Sequence, residues 1–118
     1  MKKLFLILTF CLISFQVQAA FIEGLEDVPM PEGMAQSPND NISFGNEESR
    51  LVDTLLTSDT LSCRQIQQFY GKNLPEFGWT YQGKRNETLV FEREGEVMDI
   101  SCESKKPLVV RITVKSKI

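Results

Sequence analysis

The chain has 118 residues, 42% of them hydrophobic and 25% charged, with formal net charge −3, three cysteines and no histidine. That length holds one domain and excludes a multidomain enzyme. The absence of histidine removes the commonest general base and the commonest metal ligand together, and the acidic balance excludes a typical nucleic-acid binder.

Met1-Lys2-Lys3 is a short basic start, and the run from Leu4 to Phe15 is apolar apart from Thr9 and Ser14. Small or short side chains follow at Val17 and Ala19, the pattern that signal peptidase reads. Residues 1–19 are therefore expected to be a signal peptide cleaved after Ala19, which sends the chain to the periplasm. The competing reading, an uncleaved anchor, needs about 20 apolar residues, and this run is shorter. Cys11 does not mark a lipoprotein, because Phe10 precedes it and Leu12-Ile13 continue the apolar run. After cleavage nothing is expected to span the membrane.

Residues 20–49 carry seven acidic side chains and no basic one, whereas residues 50–118 carry nine acidic and eleven basic ones. Pro29 and Pro31 disfavour helix, and Gln36-Ser37-Pro38-Asn39-Asp40-Asn41 is rich in turn formers. Residues 20–40 are accordingly expected to form an extended acidic leader, with a domain boundary near residue 40. Phe21, Ile22, Leu25, Val28, Met30 and Met34 are too apolar for a simple tether. They are expected to lie partly on the domain surface or to meet a partner.

Residues 41–118 read as an α+β domain. Ile42-Ser43-Phe44 and Arg50 to Thr57 predict two strands around a Gly45-Asn46 turn, possible partners in a hairpin. Thr60 or Ser62 can cap a helix on which Cys63, Ile66, Phe69, Tyr70 and Leu74 fall at helical spacing, and Pro75 and Gly78 end it. Trp79 to Gln82, Thr88 to Arg93, Val97 to Glu103 and Leu108 to Lys115 predict four strands joined by short turns, which favour an antiparallel meander. In the last of these, Leu108, Val110, Ile112 and Val114 share one face, opposite Val109, Arg111, Thr113 and Lys115. One apolar face and one wetter face predict a single helix packed on a mostly antiparallel sheet, a two-layer sandwich.

Cys63 falls on the apolar stripe of the helix and Cys102 on the apolar face of its strand, beside Ile100. Both thiols thus reach the same helix–sheet interface, and in an exported chain a structural disulfide is expected. Two buried free thiols or a redox pair are the alternatives; a redox pair would want a CxxC motif at a helix start, which this sequence lacks.

Phe69-Tyr70, Leu74-Pro75 and Gly78-Trp79, with Gly24 to Pro29 upstream and Arg93 to Glu96 downstream, carry a resemblance. The mature chain resembles a group of small exported periplasmic proteins of alphaproteobacteria without an established activity. The resemblance implies export and the fold above, and carries over no catalytic residue. On burial grounds alone, Phe69, Tyr70 and Trp79 are expected to anchor the helix on the sheet.

No motif marks a nucleophile–base pair, a calcium loop or a phosphate loop. The sequence therefore predicts a non-enzymatic binding or interaction module, a monomer with no intrinsic cofactor, no metal site and no nucleic-acid partner. Its expected surface combines Phe21, Leu25, Val28, Met30 and Met34 with the outward-facing Arg111 and Lys115, and its partner would be another envelope protein. A second class is a carrier of a small apolar ligand in a helix–sheet cleft lined by Ile66, Tyr70, Met98 and Val110; a small hydrolase is a third.

Overall fold

The computed structural model describes residues 20–38, 41–45 and 49–117. The expected signal peptide, with Cys11, lies outside the described residues. No described helix is long and apolar enough to cross a membrane.

In chain order the elements are β1 (Phe21–Ile22), β2 (Leu25–Pro29), β3 (Ala35–Gln36), β4 (Ile42–Gly45), β5 (Arg50–Ser58), α1 (Cys63–Asn73), β6 (Thr80–Arg85), β7 (Thr88–Arg93), β8 (Glu96–Lys105) and β9 (Leu108–Ser116). The main sheet runs β3-β5-β9-β8-β7-β6, with β4 pairing beside β3 on the same edge of β5. All of its pairings are antiparallel. The fold is the α+β sandwich that the alternation implies.

Burial follows the strand period. Leu108, Val110, Ile112 and Val114 of β9 are buried, as are Met98 and Ile100 of β8 and Val52 and Leu56 of β5. They form the inner face, and Ile66 and Tyr70 of α1, with Leu74 just past its end, close over it in one apolar cluster. Removing this area from water supplies the main stabilisation, at about 25 cal/mol per Å² of apolar surface.

Local chemistry sets the helix ends. Ser62 Oγ accepts from the Gln65 amide at 3.2 Å, and the Ser62 amide donates to Gln65 Oε1 at 2.9 Å, a reciprocal cap. At the other end Leu74–Phe77 tightens into a 3-10 turn, and Gly78 reverses the chain at φ +91°. That left-handed conformation favours glycine. Cys63 at the start of α1 is joined to Cys102 of β8, with Cα atoms 6.1 Å apart.

The expected boundary near residue 40 gives way to a continuous core. Ile22, Leu25 and Val28 have no solvent exposure, and Met34 retains 8%. β1 and β2 form a small antiparallel pair on the inner side, while β3 joins the main sheet through Ala35 opposite Thr57. The acids Glu23, Glu26 and Glu32 point outward, and Asp27 meets Arg93 at 2.5 Å. The acidity of this segment is thus a property of its outward positions. Its apolar positions complete the core, so the segment is extended but not separate from the domain.

Candidate functional site

The seven-stranded sheet has two ends, and they differ in chemistry. At one end the outermost pairing is β3 and β4 on β5; at the other, β6 is bonded to β7 and to no further strand among the described residues. Apart from Gly83, every residue of β6 is exposed. An open strand edge leaves a row of backbone donors and acceptors available to a further chain.

Beside that edge lies an open groove of about 350 Å³, lined by Arg64, Gln67, Gln68 and Gly71 of α1, Tyr81 and Lys84 of β6, and Leu89 of β7. The four helix residues stand three and four apart, so they form one face, flanking the buried stripe of Ile66 and Tyr70. Leu89 is 5% exposed and forms the floor, while Tyr81 is 49% exposed and packs its ring 5.4 Å from that of Phe91.

Lys84 reaches the groove because β6 is irregular. Tyr81 stands opposite Phe91 and Lys84 opposite Leu89, with a register shift between Tyr81 and Gly83. Regular alternation would set positions 81 and 84 on opposite faces. The extra residue re-aims Lys84 to the inner face, the known effect of a bulge. The lining therefore carries two cations, two amides, one phenol and an apolar floor, and no carboxylate.

The expected interaction surface is redistributed. Leu25, Val28 and Met34 are core residues, and Met30 is partly buried against the same cluster. Phe21 keeps 42% exposure but sets its ring edge-on to Phe77, with centroids 5.9 Å apart. Arg111 and Lys115 lie on the outer face, the opposite side of the sheet, so the two halves of the expected surface cannot act as one. Arg111 Nη1 donates to Asp53 Oδ2 at 2.7 Å, and its Nε lies 3.5 Å from Glu103. The hydrogen bond to Asp53, foremost, raises the Arg111 pKa. Lys115 is exposed.

Ile66, Tyr70, Met98 and Val110, the expected lining of an apolar cleft, are all at 0% exposure. They pack as core, and the open groove lies on the flank of α1 instead. Among the described residues no three His, Cys, Asp or Glu side chains gather as metal ligands. The sequence signal for the groove was Arg64, Gln67, Gln68 and Gly71 at helical spacing; its β6 side depends on the bulge.

Compared with known proteins, the chain matches no family model, no curated protein and no solved structure.

Proposed function

We propose that this chain is an exported cell-envelope protein and works as a non-enzymatic binding module, with the groove between α1 and β6 as its ligand site. The observation that carries the reading is the pairing of an open strand edge with a groove beside it. A rigid helix and sheet, clamped by the disulfide between Cys63 and Cys102, hold the two walls of that groove in place. Such an arrangement orients a ligand without moving electrons or protons. Export is supported by the basic, apolar and small-residue order of residues 1–19, and by a disulfide of the kind that persists in oxidising compartments.

The test is a photoreactive residue placed at Gln68 in the groove or at Lys115 on the outer face, in cells that export the protein. A discrete adduct from position 68 and none from position 115 is the expected result. Adducts from position 115 alone, or from neither position, overturn the assignment.

A further inference from the structure

We infer that the ligand of this groove is an extended polypeptide segment bearing carboxylates at alternate positions, which adds to β6 as a further strand. The inference rests on reading the groove as the ligand site, and three independent features of β6 and α1 lead from there to the ligand.

The first is the edge. The backbone of β6 is hydrogen-bonded on the β7 side, and among the described residues its other side has no strand partner. Main-chain hydrogen bonding to such an edge needs no particular side chain, so it recognises an extended chain as such. The second is periodicity. Successive side chains of an added strand point to opposite faces, so every second one would fall on the inner side, beside Tyr81 and Lys84 and against α1. The third is charge. Arg64 and Lys84 line the groove, Arg85 follows on the same strand, and no carboxylate lines the groove.

The same charges discriminate between occupants. Pairing β6 with its copy in another molecule would place two Lys84 and two Arg85 side chains in one short ladder, an arrangement that repels. A basic or neutral strand meets the same obstacle or gains nothing from it. An acidic segment turns it into attraction, which steers encounter and fixes register. The apolar floor at Leu89 and the exposed ring of Tyr81 lie on that same inner side, where they would meet the methylene stems of the acidic side chains. At about 350 Å³ the groove is at the small end of ligand pockets, which span ~300–1,000 Å³, and suits a few side chains of a longer segment.

The experiment selects random linear eight-residue segments, displayed on phage, against the protein recovered from an exporting host. The winning peptide is then synthesised with and without N-methyl groups on alternate backbone nitrogens, and its affinity is measured by fluorescence anisotropy. Asp or Glu enriched at alternate positions is expected. Arg64→Glu and Lys84→Glu should each weaken binding about tenfold. Lys84→Gln should weaken it less, and far-ultraviolet dichroism of each variant checks its fold. N-methylation in one phase should abolish binding and in the other phase leave it intact, and the amides of β6 should gain hydrogen-exchange protection. An empty selection, winners without acids, or affinity indifferent to charge reversal or to both methylation phases overturns the inference. Neutral winners that still quench the photo-adduct at position 68 sink the acidic segment alone. Loss of any adduct at position 68 sinks the groove itself.

Discussion

The phenol of Tyr70 donates a 2.7 Å hydrogen bond to the carbonyl oxygen of Pro29, joining the last turn of α1 to the end of β2 across 41 residues of sequence. Tyr70 is fully buried, so the bond is out of reach of water. Tyr70→Phe keeps the ring and leaves the Pro29 carbonyl unpaired, which costs about 1–3 kcal/mol. For a domain of this size each kcal/mol lowers the melting temperature by about 4–8 °C. Thermal unfolding of the two proteins checks this; an unchanged melting temperature would mean that packing alone holds β2 against α1.

The same phenol sets an alkaline limit. Burial raises its pKa far above the ordinary tyrosine value of about 10. Below pH ~10 the phenol is protonated in folded and unfolded chains alike and makes no pH-dependent contribution. Above it the unfolded chain releases the proton while the folded chain holds it, so stability falls as pH rises. Urea midpoints from pH 8 to 11 are expected to drop more steeply in the wild type than in Tyr70→Phe. Parallel slopes in the two proteins would assign the alkaline loss to other groups.

The bond between Cys63 and Cys102 closes a loop over a separation of 39 residues and pins the start of α1 to β8. In the chain-entropy model such a loop stabilises by roughly 3–4 kcal/mol. Replacing both cysteines with serine should lower the urea midpoint accordingly and raise the unfolding slope, because the chain without the cross-link unfolds to a more expanded state. Thiol titration of the unfolded, unreduced wild type should find no reactive thiol once residues 1–19, which hold Cys11, have been removed.

The sheet and the helix were legible because their signals are local. β7, β8 and β9 alternate over short turns, and Ile66, Tyr70 and Leu74 recur at helical spacing. Those two periods together brought Cys63 to Cys102. The place of residues 20–38 was not legible, because prolines at 29 and 31 describe an extended chain and say nothing of which surface it covers. That is decided by distant contacts, Tyr70 on Pro29 and Arg93 on Asp27. The end of β6 was placed too early for a related reason. The reversal uses Asn86 and Glu87, both at positive φ, rather than the earlier Gly83, and the glycine sits inside the strand beside its bulge. Half of the groove depends on that bulge, and alternation alone, carried on from Tyr81, would set Lys84 on the opposite face.

Arg93 is the most connected cation of the described residues, and its replacement tests how firmly residues 20–38 are held. Its Nη2 lies 2.5 Å from Asp27 Oδ2 and 3.5 Å from Glu96 Oε1, and its Nη1 donates to the Phe77 carbonyl at 3.1 Å. The guanidinium also stacks 4.3 Å over the Trp79 ring. A half-exposed ion pair contributes only about 0.2–1 kcal/mol, and a cation over an aromatic ring about 0.5–1 kcal/mol. Hydrogen bonds to charged groups add about 1.5–3 kcal/mol. Arg93→Ala should therefore cost about 2–5 kcal/mol, and Asp27→Ala about 1 kcal/mol or less, since it removes one of these contacts alone. Arg93→Lys should recover less than half of the loss, because an ammonium cannot serve the carboxylate, the carbonyl and the ring in three directions at once. Urea unfolding of the three variants and of the Asp27→Ala/Arg93→Ala double variant measures each contribution. Full recovery by lysine would show that charge alone matters at this position, and that neither the Phe77 carbonyl nor the Trp79 ring depends on the planar fork.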